Sequence, residues 1–101
     1  MDRRQKLQEL LKNILGSDKV YFQPPSNTKL EYPCIVYKRS DIDVTYADNV
    51  PYKTMVRYTV TLIGKSPESH IVKELLKIPY CSYDRFFTSD NLNHDTFSLY
   101  Y

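Results

Sequence analysis

Between Tyr52 and Ile63 the chain reads YKTMVRYTVTLI, and side chains here alternate in character residue by residue. Val56, Tyr58, Val60 and Leu62 fall on one face, with Met55, Arg57, Thr59 and Thr61 on the other. A period of two in β-branched and aromatic residues is the signature of a strand with one face on a core. Its length suits the central strand of a sheet. Any fold for this chain must lay its other apolar stripes against that face.

Those stripes are short and few. Leu7, Leu10, Leu11, Ile14 and Leu15 recur at helical spacing, with Asp2 and Gln5 placed as a capping box and Gly16 as the left-handed stop. Lys19 to Gln23 reads as a short strand, ended by Pro24-Pro25, which cannot continue a ladder. Ser26 to Tyr32 is a polar connection. Cys34 to Arg39 begins a second long strand. Ile42, Val44 and Tyr46, alternating with Asp41, Asp43 and Thr45, carry its pattern to about Tyr46. With turn residues Asp48 and Asn49 in the Ala47 to Pro51 connection, the simplest expected unit is a long antiparallel hairpin whose distal end outruns the body; the alternative is a long loop over Ser40 to Tyr52, of the functional or mobile kind.

Ser66, Pro67 and Glu68 form a helix start, and Ile71, Val72, Leu75 and Leu76 its expected apolar face. Pro79 stops that helix. Two further strands, Tyr80 to Phe87 and Thr96 to Tyr101, are expected, joined through the polar run SDNLNHD. The 101 residues make one domain with a modest core. The predicted class is α+β: a mainly antiparallel sheet, a long central β-hairpin, and two helices packed on one face.

Composition excludes several functions. Net charge is +2, too balanced to argue for a nucleic-acid or membrane-surface protein. Arg3, Arg4 and Lys6 read as a solvated helix start. No apolar run is long enough for a transmembrane helix, and the N-terminal segment lacks a signal peptide's continuous apolar core. A cytoplasmic setting follows, where Cys34 and Cys81 are expected as buried free thiols. The only two glycines, Gly16 and Gly64, rule out a Gly-rich phosphate loop. His94 with Asp84, Asp90 and Asp95 has no recognised metal-ligand spacing, and an Asn/Asp-rich turn is its commoner meaning. His70 is expected in an exposed or partly packed helical position. No enzyme, metal or cofactor is expected.

Ten Tyr and four Phe with no Trp is the unusual feature, suited to half-buried sheet faces and interfaces. Tyr interleaved with Lys or Arg, in VYKR (36–39) and MVRY (55–58), allows an alternative function: a cytoplasmic nucleic-acid or regulatory binding module stacking bases on a Tyr-rich sheet. Ordinary sheet packing with solvated cations is the simpler meaning. Ser40 to Tyr52 stands apart. It carries Asp41, Asp43 and Asp48 and no Lys or Arg, yet holds Ile42, Val44, Tyr46, Val50 and Tyr52. So apolar a segment at a hairpin end calls for cover by a partner. Asp41, Ile42, Asp43, Val44, Tyr46, Asp48 and Tyr52 are therefore the candidate subunit-interface or channel residues.

VYFQPP (20–25), YPCIVY (32–37), RYTVT (57–61) and PYCSYDRFFTSDNLNHDTFSLYY (79–101) together resemble the tail-terminator, or tail-completion, proteins of long-tailed phages with non-contractile tails. The likeness covers nearly the whole chain and is one of packing and turns, without a chemical motif. It implies an α+β subunit of a ring, usually hexameric, at the head-proximal end of the tail tube. Such a ring stops tube growth and joins the tail to the head. The implied partners are other copies of the chain, the tail tube protein and the head–tail connector, with DNA passing through unbound and no membrane. The implied location is the virion neck, after synthesis in the host bacterial cytoplasm.

Overall fold

The computed structural model describes residues 3–65 and 69–101, including every side chain in them except those of Asp43, Pro51, Tyr52, Lys53 and Ser69. Helix α1 (Arg3–Leu15) is followed by β1 (Val20–Phe22), β2 (Cys34–Ala47), β3 (Val50–Gly64), α2 (Ser69–Leu76), β4 (Cys81–Ser89) and β5 (Leu92–Tyr100). The expected caps at Asp2 and Ser66–Glu68 lie outside the described residues. The fold is α+β, with one five-stranded sheet in the order β1-β2-β3-β5-β4. β3 is its central strand, paired antiparallel on both sides, and only the β1–β2 contact is parallel. The Tyr32–Pro33 peptide, just before β2, is cis.

Strand alternation and register place one core. Tyr37 faces Val60, which faces Phe97, and Ile35 faces Leu62 while Tyr58 faces Leu99. All are buried, in one cluster with Leu7 and Leu11 of α1 and Ile71 and Leu75 of α2. Leu10, Ile14, Leu15 and Val72 pack at its margin. Leu76 departs from expectation and is 43% exposed. With Ile71 and Leu75 aimed into the core, the next residue is turned about 100° away on the helix.

A polar tether fixes α1 to the sheet. The Tyr37 ring is fully buried, its hydroxyl donates to Gln8 Oε1, and Arg4 Nη1 donates to that hydroxyl at 3.3 Å. Gln8 Nε2 donates to the Val20 carbonyl at 2.9 Å. Arg4 also lies 4.7 Å from the Phe22 ring centre, and Arg3 lies 5.7 Å from that of Tyr101. The basic helix start thus covers aromatic surface as well as meeting solvent. Gly16 closes α1 at φ 81°, its amide donating to the Lys12 carbonyl at 2.8 Å.

The last hairpin is tighter than expected. Asp90 and Asn91 both have positive φ and form the whole turn, so β5 starts at Leu92 instead of Thr96. The polar run Asn93–Asp95 becomes ladder because Gly64, Ile63 and Leu62 of β3 pair with it. Tyr80 lies outside β4, in a left-handed conformation. Cys34 and Cys81 are both free thiols; Cys34 is fully buried and Cys81 half-buried.

Candidate functional site

The sheet neighbours of the central hairpin end well before the hairpin does. β1 reaches only Tyr37 on β2, and β5 pairs with β3 only from Arg57 onward. One more bond, from the Tyr101 amide to the Val56 carbonyl at 3.0 Å, closes that edge. Beyond it, β2 and β3 continue alone as a two-stranded ribbon, paired from Asp43↔Met55 to Ala47↔Val50. Asp48 and Asn49, at φ 53° and 64°, turn it in two residues. Positive φ at both central positions matches the right-handed twist of the strands, which is why Asp and Asn serve here. The ribbon helps make the molecule 51 Å long and only 25 Å across.

A clasp marks the ribbon's base. The register shifts between Arg39 and Asp41, leaving Ser40 as an extra residue. Ser40 Oγ donates to the Arg57 carbonyl at 3.1 Å and accepts from Arg57 Nε at 3.3 Å. Arg57 Nη2 lies 3.5 Å from Asp41 Oδ2. Sequence reasoning missed Ser40 and Arg57, because only the bulge and the cross-strand register bring Arg57 opposite Asp41. The segment from 40 to 52 contains no cation, yet its first aspartate is neutralised across the ladder.

Beyond the clasp the two ribbon faces differ. Ile42 pairs with Val56 and Val44 with Thr54, on the side that continues the core-facing surface of β3. Ile42, Val44, Tyr46 and Val50 remain 45, 37, 64 and 62% exposed. Ile42, Val44 and Tyr46, singled out from the sequence, thus share one uncovered apolar face. Asp48 sits exposed at the tip. Asp43 pairs through its backbone with Met55, and Tyr52 is the extra residue at a second register shift. Expectations for the side chains of Asp43 and Tyr52 lie outside the described residues.

The other constellations do not assemble. His94 and Asp95 are adjacent in β5 and therefore project from opposite sheet faces. His94 stacks on Phe87 at 4.6 Å with its Nδ1 3.2 Å from the Leu92 carbonyl. Asp95 accepts a 2.7 Å hydrogen bond from the Tyr83 hydroxyl. Lost hydration and that bond to Asp95 push the Tyr83 phenol up to about 12. Among the described residues no group of His, Cys, Asp or Glu is placed to hold a metal. Burial raises the Cys34 thiol to about 11, against a small opposing pull from Lys19, and raises Cys81 as well. Neither is a poised nucleophile.

The Tyr platform fails for a different reason. Tyr37 and Tyr58 are 0 and 6% exposed, with ring centres 5.9 Å apart inside the core. Neither can stack on a base. An open depression lined by Gln23, Pro24, Val36, Lys38 and Arg39 offers cations but no nucleophile or general base. No described helix is long and apolar enough to cross a membrane. Neither a protein-family model nor a curated protein matches the chain.

Proposed function

We propose that the chain is a ring-forming structural subunit of the tail-terminator kind, capping the head-proximal end of a non-contractile phage tail tube. One observation carries this reading: a two-stranded ribbon that projects beyond the sheet with an uncovered apolar face. A lone hairpin in water is marginal, and exposed apolar ribbon surface favours association. An assembly that covers the ribbon removes both problems. Tyr46, the most exposed of the three apolar residues on that face, is suited to anchor such a contact.

The ring implied by the resemblance holds several copies, six in most such proteins, and contacts the tube protein below and the head–tail connector above. Asp41 is neutralised by Arg57, so Asp48 at the exposed tip is better placed to repel DNA phosphate in a channel. The protein is then made in the host cytoplasm and resides in the virion neck. Negative-stain microscopy of the purified chain mixed with tail tubes of the encoding phage tests this. Rings seated on tube ends are expected. Bare tube ends at saturating protein, or salt-dependent retention of the chain on single-stranded DNA, would overturn it.

A further inference from the structure

The two edges of the sheet are guarded very differently. At one edge β1 spans only Val20–Phe22 and is followed by Pro24-Pro25, a short and blunted strand. The other edge is β4, Cys81–Ser89, exposed along nearly its whole length. Edge strands are ordinarily protected by Lys, Pro or brevity. β4 has no Lys or Pro, and it presents Tyr83, Phe86 and Phe87 at 43, 51 and 37% exposure. Its bulge between Tyr83 and Arg85 brings Tyr83 and Phe86 to the same sheet face, opposite Phe97 and Asp95. The bulge at Asp84 is the one such guard on an otherwise open, aromatic edge.

The ribbon has a matching asymmetry. Its β3 side carries Pro51 and Lys53, two edge-blocking residues, whereas its β2 side has neither from Ser40 to Ala47. The Ile42 amide is taken by Asp41 Oδ1 at 2.8 Å, which leaves the backbone of 43–47 as the available stretch. That is a strand of ordinary length, about 17 Å.

We infer that β4 receives the ribbon of a second copy of this chain: residues 43–47 of β2 add as an outer strand to β4 of the neighbour, with Ile42, Val44 and Tyr46 against Tyr83 and Phe86. The partner is a second copy because the open edge and the exposed apolar ribbon that fits it are on the same chain. The contact joins a backbone ladder to these side chains, all partly exposed in the single copy, and a ring repeats that small contact at every subunit. The two patches differ, so the contact is heterologous. Each copy has one ribbon to give and one β4 to offer, the requirement for a closed ring. The inference rests on the ring reading above, but needs no tail for its test.

Native mass spectrometry and sedimentation of the purified chain over rising concentration provide that test. The wild-type chain is expected to associate into species larger than a dimer. Tyr46→Asp and Phe86→Asp, each at an exposed position, are each expected to remain monomeric with unchanged circular dichroism. Mixed in equal amounts they should form a heterodimer and stop, since one intact ribbon then meets one intact β4. Association of Phe86→Asp alone, a mixture that stays monomeric, or a wild-type chain monomeric throughout would each overturn the inference. Disulfide trapping needs no charged substitution. In a Cys81→Ser background, Val44→Cys and Phe86→Cys chains should cross-link when mixed and not when separate. Cross-linking of Val44→Cys to itself would show a symmetric contact and end the proposal. Assembly through these edges without tube capping would spare this inference and end the functional one, and the converse result would do the reverse.

Discussion

Shortening the ribbon separates what holds the fold from what serves assembly. The change replaces residues 43–55 by Asn-Gly, joining Ile42 to Val56, which already face each other. Every residue of the buried cluster lies outside the excised stretch, and so do the Ser40–Arg57–Asp41 clasp and the Tyr101 bond to Val56. What is lost is ladder that nothing else covers. A two-stranded hairpin projecting beyond its sheet is at best marginally stable in water, its ladder bonds and side-chain contacts offset by the backbone entropy of the residues they order. Stability should therefore change by about 1 kcal/mol or less, a shift in melting temperature of roughly 4–8 °C at most. Urea unfolding followed by circular dichroism reads this directly. A loss above about 3 kcal/mol, or failure to fold, would refute the reasoning by showing that the ribbon supports the core.

Tyr37→Phe removes the hydroxyl shared by Gln8 and Arg4 and should cost about 1–2 kcal/mol in urea unfolding; an unchanged midpoint would mean the tether contributes nothing. Gly16→Ala meets no steric obstacle yet must adopt φ 81°, so a loss of about 1 kcal/mol is expected from the same measurement. The Cys34 thiol goes from 9.0 to about 11 on folding, so the native state keeps its proton while the unfolded chain loses it. Cys34 therefore contributes stability below pH 9 that is lost as pH rises toward 11, and Cys34→Ala should flatten that part of the stability–pH curve. With a thiol-specific reagent at pH 8, half-buried Cys81 should react first and Cys34 only as the protein unfolds.

Much of this architecture is legible where one periodicity dominates. Val56 to Leu62 reads as a half-buried strand because alternate residues are apolar, and Leu7 with Leu11 reads as a helix face by spacing alone. The ribbon was legible because Ile42, Val44 and Tyr46 continue the β2 pattern past any plausible body. Other features depend on neighbours that local pattern does not reveal. Leu92 to Asp95 look like turn residues by composition, and they are strand because Phe86–Ser89 pair with all four on one side and Leu62–Gly64 with Asn93–Asp95 on the other. Tyr37 and Tyr58 look like candidate stacking residues in VYKR and MVRY, yet the closeness of Phe22 and Gln8 places them in the core. Phe86 and Phe87 fall in the expected strand from Tyr80 to Phe87, and they are exposed because β4 is the last strand of the sheet. The Asp41–Arg57 pair depends on a one-residue bulge at Ser40, which no periodicity announces.

Tail tube growth tests the central claim most directly. Tube subunits of the encoding phage are polymerised with the wild-type chain or with the ribbon-shortened chain, and tube lengths and ends are measured by electron microscopy. The account predicts that the wild-type chain forms a ring on one end of each tube and stops growth there, while the shortened chain, folded and monomeric, leaves growth unchanged. Tubes that lengthen equally with and without the wild-type chain, their ends bare, would contradict it.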